Sequence, residues 1–125
     1  MESLKRILVV DDDADTCALI ADILEDEGYR VHPCRSAERA LEILKQEQFD
    51  VILSDIRMPR VTGIDLLLQV RRMKLPTAVV LITAYASLET AIQALRGEAF
   101  DYLIKPFSLA ELRATVRRAV SADKD

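Results

Sequence analysis

The sequence predicts an α/β layered domain built on one parallel sheet. Three observations predict it. Five short apolar runs alternate with longer segments of helical spacing. Three of those runs are nearly continuous Val, Ile and Leu, the pattern of strands covered on both faces. No repeat, low-complexity tract or linker interrupts the alternation. At 125 residues the chain has the size of one domain, expected to fill 1–125. Half of its residues (50%) are hydrophobic, and a chain this long buries roughly two-thirds of its unfolded surface, so a core needs no staples.

The first strand is Ile7-Leu8-Val9-Val10. Cys17, Ile20, Ile23 and Leu24 then fall on one helical stripe, with Gly28 as a C-terminal stop. Arg30-Val31-His32 is a weaker apolar run and reads as an edge strand. Ala37, Ala40, Leu41 and Leu44 recur at i, i+3, i+4 and i+7, and Val51-Ile52-Leu53 forms the third strand. Ile64, Leu67 and Leu68 begin a third stripe before the long run Ala78-Val79-Val80-Leu81-Ile82. Leu88, Ala91, Ile92 and Leu95 form the fourth stripe, and Tyr102-Leu103-Ile104 the fifth strand. Ser108-Leu109-Ala110-Glu111 reads as a capping box that opens a last helix on Leu109, Leu112 and Val116. Residues 121–125 are a polar tail or the start of a linker. Right-handed crossovers leave few topologies for five such units.

Charge excludes some functions. Lys and Arg number 17 against 21 Asp and Glu, a net charge of −4. That balance argues against direct nucleic-acid binding or an anionic membrane surface, both of which need a basic face. No apolar run approaches the roughly 20 residues of a membrane span. Met1-Glu2-Ser3-Leu4-Lys5-Arg6 shows no signal-peptide pattern. Cys17 and Cys34 are too few for a disulfide framework or a cysteine metal site, and read as small buried side chains in a reducing cytosol. The expected location is cytoplasmic. His32, the sole histidine, reads as surface or packing, and Arg71-Arg72 as a solvated helix face.

In a parallel sheet of this class, ligands bind beyond the carboxyl ends of the strands. Asp11-Asp12-Asp13 ends the first strand, Asp55 the third and Thr83 the fourth, and Lys105-Pro106 follows the fifth. Each alone has a bland reading: Asp13 caps a helix, Thr83 is structural, Lys105-Pro106 is a surface turn. Their arrival at successive strand ends changes that reading. Two carboxylates 4 Å apart repel by about 1 kcal/mol in water and about 4 kcal/mol at an effective dielectric of 20. A hard divalent cation with oxygen ligands relieves such crowding, and Mg²⁺ characteristically uses one or two carboxylates, waters and a phosphate oxygen. With Lys105 as a second positive charge, the set suits phosphoryl transfer, where a carboxylate can itself be the nucleophile.

Val9-Val10-Asp11-Asp12, Asp55-Ile56-Arg57-Met58-Pro59 with Gly63, Thr83-Ala84, and Tyr102-Leu103-Ile104-Lys105-Pro106-Phe107 together resemble the receiver domain of two-component response regulators. The resemblance covers nearly the whole chain. It implies a flavodoxin-like, doubly wound (βα)5 fold with a five-stranded parallel sheet in the order 2-1-3-4-5. It implies that Asp55 accepts a phosphoryl group from a sensor histidine kinase or phosphotransfer protein. Asp12 and Asp55 would then ligate Mg²⁺, with Asp11 acting through a water and Arg57 through its main-chain carbonyl. Thr83 and Lys105 would bind phosphoryl oxygens, the peptide before Pro106 would be cis, and Tyr102 would turn inward as Thr83 moves. The chain would catalyse only its own phosphoryl acceptance and slow dephosphorylation, and is otherwise no enzyme. Ser54-Asp55-Ile56-Arg57-Met58-Pro59 and Ala99-Phe100-Asp101-Tyr102-Leu103 look like the subtype found in enhancer-binding transcriptional activators. That implies an output through the face of helix 4, strand 5 and helix 5, with Leu88, Leu109, Arg113 and Arg117 as candidates, and phosphorylation-promoted homodimerisation there.

Two departures from the family pattern stand out. The family has Gly directly before the Ala of Ala99-Phe100-Asp101, where this chain has Glu98, with Gly97 one residue earlier. The fourth helix is therefore expected to stop early or to carry strain. Arg57 and Tyr85 hold the two family positions that help set the dephosphorylation rate, and both are large. Competing readings are a phosphoaspartate-forming hydrolase and a receiver-like module that is never phosphorylated. The hydrolase pattern needs Thr or Val at the fourth position after the nucleophile, where Asp11-Asp12-Asp13-Ala14-Asp15 has Asp15. The intact Asp12, Asp55, Thr83 and Lys105 weigh against the module. A flavin or nucleotide binder on the same fold would need a Gly-rich phosphate loop, which is missing.

Overall fold

The computed structural model describes residues 4–122. The leading Met1-Glu2-Ser3 and most of the expected polar tail, 123–125, lie outside the described residues. Strands and helices alternate as β1 (Arg6–Val10), α1 (Ala14–Asp26), β2 (Arg30–Cys34), α2 (Ala37–Leu44), β3 (Val51–Asp55), α3 (Gly63–Arg72), β4 (Ala78–Thr83), α4 (Leu88–Arg96), β5 (Asp101–Ile104) and α5 (Leu109–Val120). The five strands form one parallel sheet in the order β2-β1-β3-β4-β5. This is the flavodoxin-like order, and the weak run at Arg30–Cys34 is an edge.

Alternation along the central strands splits the core in two. Leu8, Val10, Ile52, Val79 and Leu81 point to one face, where Ala37, Ala40, Ile43, Leu44, Leu66, Leu67 and Val70 of α2 and α3 meet them. Ile7, Val9, Leu53, Val80 and Ile82 point to the other face, against Cys17, Ile20 and Leu24 of α1 and Leu112 and Val116 of α5. The two cysteines belong to opposite layers, and burial pushes both thiols up from their usual range.

Helix ends follow local chemistry. Ser36, Thr62, Ser87 and Ser108 each accept an N–H in the first turn of α2, α3, α4 and α5. The Ser108 and Glu111 box forms as expected. At the carboxyl end of α1, Gly28 adopts φ 97°, its N–H donating to Glu25 and that of Tyr29 to Leu24. The same closure ends α3 and α4, but there the left-handed residues are Lys74 (φ 58°) and Glu98 (φ 60°). Gly97 keeps an ordinary φ of −82°. The expected strain is therefore real and sits on Glu98, while Gly97 is small for a different reason: a Cβ there would lie 2.6 Å from Leu67 Cδ2.

Helix α4 departs from its sequence stripe. Leu88 and Leu95 are 78% and 79% exposed, and Ala94 is its only buried residue. The small side of the helix, Ala94 continuing into Gly97, faces inward, and the leucine side faces solvent.

Candidate functional site

The site is built at the carboxyl edge of the sheet, where β1 and β3 lie side by side with Val10 opposite Ser54. This register brings the residues after β1 against the end of β3. Asp11, Asp12 and Asp55 each offer a carboxylate oxygen, all within 4.8 Å of one another. Asp11 is buried at 3% exposure, and its Oδ1 accepts the Asp13 N–H at 2.9 Å. Asp12 faces solvent and Asp55 is half-buried. Asp13 does not join the cluster; it caps α1, accepting from the N–H groups of Asp15 and Thr16.

Lys105 completes the group. Its Nζ lies 3.5 Å from Asp11 Oδ2 and 3.6 Å from Asp55 Oδ2. Its backbone N–H donates to the Thr83 carbonyl at 2.8 Å, which ties the end of β5 to β4. The Lys105–Pro106 peptide is cis. Burial pushes the Asp55 carboxyl above its ordinary range; Lys105 pulls it down, Asp11 pushes it up, and the backbone amides of Arg57 and Ile56 pull it down. Three carboxylates face one ammonium, so the site carries excess negative charge in a recess. Hard oxygen donors with an unbalanced charge fit a divalent cation.

The loop after β3 is held by a close approach. A Cβ on Gly63 would lie 2.3 Å from the Asp55 carbonyl oxygen and 2.9 Å from Ile56 Cα. The Gly63 N–H donates to the Ile56 carbonyl at 3.0 Å. Only glycine lets α3 start this close to the acidic residue. Ser54 Oγ donates to the Asp55 carbonyl at 2.9 Å, fixing the strand end from the other side.

Thr83 ends β4 one residue past the partner of Asp55 and is 1% exposed. Its Oγ1 accepts the Tyr85 N–H at 3.0 Å. Tyr102 is half-buried, packs against the α2–α3 side of the core, and its hydroxyl lies 2.6 Å from Thr90 Oγ1 on α4. The Arg57 guanidinium stands over the Tyr85 ring at 4.3 Å, joining the loops that follow β3 and β4.

The expected output residues divide. Leu88 and Leu109 are exposed. Arg113 and Arg117 are instead committed to Glu27 beyond α1, at 3.2 Å and 3.4 Å. The arginine on the β5 side is Arg118, bonded to Asp101 at 3.0 Å. Arg71 also departs from expectation: it is half-buried and bonded to four main-chain carbonyls. Its partners at Gly97 and Glu98 lie 26 and 27 residues away, so no local signal marks it. His32 stacks edge-on against Phe49 at 6.1 Å, a packing role.

Comparison with known proteins gives one answer. The model of the response regulator receiver domain matches residues 7–117. Transcriptional regulatory protein ZraR of Escherichia coli (strain K12) is 40% identical over 115 residues, 92% of this chain and 26% of its own. The chain thus spans about a quarter of the length of that relative. Among solved structures, a CheY-like receiver domain protein from Methanospirillum hungatei JF-1 superposes with a TM-score of 0.91 at 34% identity, covering 95% of each chain. Response regulator TrrA from Thermotoga maritima, solved in complex with Mg²⁺ and BeF, superposes with a TM-score of 0.85 at 30% identity, over 93% of this chain and 99% of that one. With its sheet order, its acidic strand ends and this match over most of its length, the chain belongs to the response regulator receiver domain family.

Proposed function

We propose that Asp55 is the phosphoacceptor of a signalling switch, receiving its phosphoryl group from a sensor histidine kinase or phosphotransfer protein. The single observation that carries the reading is the convergence of Asp11, Asp12 and Asp55 on one point with Lys105 beside two of them. A Mg²⁺ ion held by Asp12, Asp55 and the Arg57 main-chain carbonyl, with Asp11 through a water, would neutralise carboxylate and phosphoryl charge. An Asp55 carboxylate oxygen attacks phosphorus in line as the donor nitrogen or oxygen leaves. Lys105 and Thr83 hold the transferred phosphoryl oxygens by charge-assisted bonds, each worth about 1.5–3 kcal/mol.

The phosphoryl group adds nearly two negative charges and three acceptor oxygens. Thr83 Oγ1 accepts the Tyr85 N–H and still has its own proton to donate, so drawing it toward a phosphoryl oxygen would pull on the loop before α4. Tyr102 and Thr90 then re-pair as that loop moves. A preference of a few kcal/mol for one arrangement shifts populations tenfold to several-hundredfold. The protein would regulate transcription, a reading supported by the name of the relative ZraR, and would do so in the cytoplasm. The exposed face of Leu88, Leu109 and Ile104 fits a phosphorylation-promoted homodimer. Light scattering that shows no mass change on phosphorylation rejects the dimer.

Mass spectrometry after incubation with acetyl phosphate and Mg²⁺ tests the main reading. The expected result is one stable phosphoryl adduct, absent in Asp55→Asn. Rapid consumption of the donor without an adduct favours a hydrolase. No adduct and no consumption favours an interaction module.

A further inference from the structure

Helix α4 is attached to the body in an uneven way. Ala94 is its only buried residue. A groove of about 570 Å³, walled by Ile56, Thr62, Ile64, Thr90 and Gln93 among others, runs between it and the start of α3. Its amino-terminal half is joined to β5 by a single hydroxyl pair, Thr90 Oγ1 to Tyr102 OH. Its carboxyl end is held by Arg71 from α3, whose Nε donates to the Gly97 carbonyl at 3.2 Å and whose Nη2 donates to the Glu98 carbonyl at 3.0 Å. Nη1 of the same guanidinium donates to the carbonyls of Leu75 and Thr77, at the entrance of β4, at 3.3 Å each.

Four donors of one planar fork thus bind acceptors from two separate segments. Carbonyls at a helix carboxyl end have no partner within the helix, and a cation there also meets the negative end of the helix dipole. The fork geometry of Arg allows all four bonds at once, which a lysine ammonium with three donors cannot match. Beside it, Gly97 seats on Leu67 so closely that a Cβ there would push the leucine end aside, and the Phe100 N–H donates to the Val79 carbonyl at 2.7 Å.

We propose that Arg71 is a positioning residue that pins the carboxyl end of α4 to α3 and β4, so that α4 responds to events at Asp55 by swinging about Gly97 and Glu98. This rests on the reading of Asp55 as phosphoacceptor. The amino-terminal half moves because a lone hydroxyl pair and an open groove hold it. The carboxyl end stays because the guanidinium holds both sides of the joint.

Site-resolved amide hydrogen exchange on the chain, with and without Mg²⁺ and beryllofluoride, tests this against Arg71→Met and Arg71→Lys. Exchange at Leu81 in β4 reports global stability. In the unliganded chain, Arg71→Met is expected to speed exchange at Gly97, Glu98 and Ala99 by about tenfold more than at Leu81, and Arg71→Lys by an intermediate factor. With beryllofluoride, the parent chain is expected to change at Ala91 and Ile92 and not at Ala99, while Arg71→Met changes at both ends. Equal acceleration at Ala99 and Leu81 in Arg71→Met, or equal change at both ends of α4 in the parent, overturns the proposal. Failure of beryllofluoride to bind at all counts against the phosphoacceptor reading, while the unliganded comparison still decides the anchor.

Discussion

Strand β4 is buried along all of Ala78–Thr83, whereas α4, which follows it directly, buries Ala94 alone. The neighbouring β3 is covered by both layers and ends in Asp55, fixed by Ser54, Gly63 and Lys105. Around α4, leucines face solvent, and only the small Ala94 is buried against the body. The difference separates two tasks. Phosphoryl chemistry needs groups held to fractions of an ångström, which close packing and short strand ends supply. A response needs an element that changes position for a few kcal/mol, which a loosely packed helix supplies. The chain places the two regions one loop apart, with Thr83 at the junction.

If the sheet edge is as unyielding as this comparison requires, Gly63→Ala is the most damaging small change. The new Cβ would meet backbone atoms of Asp55 and Ile56, which cannot rotate away. A loss of about 3 kcal/mol in urea unfolding is expected, with slower phosphoryl acceptance. A loss below about 1 kcal/mol would show that the edge adjusts as freely as α4.

The same region also stores electrostatic cost. Burial, the largest influence, raises the Asp55 carboxyl above its ordinary value of 3.8. The folded chain therefore binds that proton more tightly than the unfolded chain does. The resulting stabilisation is full below the unfolded value and is lost as pH rises through the folded one. At neutral pH in metal-free buffer, Asp55→Asn is accordingly expected to be more stable than the parent by about 1 kcal/mol. The gain should shrink as pH falls toward the ordinary carboxylate range, and on addition of Mg²⁺. Denaturant titrations at a series of pH values measure it; a destabilised Asp55→Asn at neutral pH contradicts the sign.

The rigid region was the legible one. Continuous apolar runs mark β1, β3 and β4 because strands covered on both faces tolerate little else, and the acidic strand ends follow from where those runs stop. The capping box at Ser108 and the stop at Gly28 are local chemistry and are read locally. The soft region was not legible in the same way. Periodicity finds the stripe of Leu88, Ala91, Ile92 and Leu95 but does not say whether sheet or solvent meets it. Here the small side at Ala94 and Gly97 approaches the body, because small residues allow the closer contact with Leu67. Arg71 reads as a solvated charge because two of its carbonyl partners, Gly97 and Glu98, come from a distant segment and the nearer two are main-chain groups that leave no side-chain pattern. Arg113 and Arg117 are output candidates only through the resemblance, which assigns α5 to the output face and cannot register their pairing with Glu27.

The ends of α1 and α4 offer a controlled pair. Both close with the same two bonds, one around Gly28 and the other around Glu98. A non-glycine residue in the left-handed region gives up about 1 kcal/mol. Glu98→Gly is expected to stabilise the chain by about that amount, raising Tm by about 4 °C. Gly28→Ala should lower it similarly, since no atom lies near enough to add a packing penalty. If Glu98→Gly gives no gain, the left-handed conformation costs Glu98 nothing measurable at this helix end.

The smallest effect lies where the two regions touch. Arg57 follows β3 and Tyr85 follows β4, so their stacked contact spans the rigid edge and the loop that leads to α4. Tyr85 remains 65% exposed, and an exposed cation–π contact is worth about 0.5–1 kcal/mol. If Asp55 carries a phosphoryl group, as proposed, these two large side chains on the flanking loops would crowd the path by which water reaches it. Removing either would open the path and loosen the loop that follows Thr83, and a barrier lowered by that energy speeds hydrolysis a few-fold. Decay of the phosphorylated chain, followed in Arg57→Asn and Tyr85→Glu, is therefore expected to accelerate about twofold to fivefold in each. The double variant should accelerate less than the product of the two, since each single change already breaks the shared contact. Unchanged decay in both singles would reject the crowding of the water path by Arg57 and Tyr85.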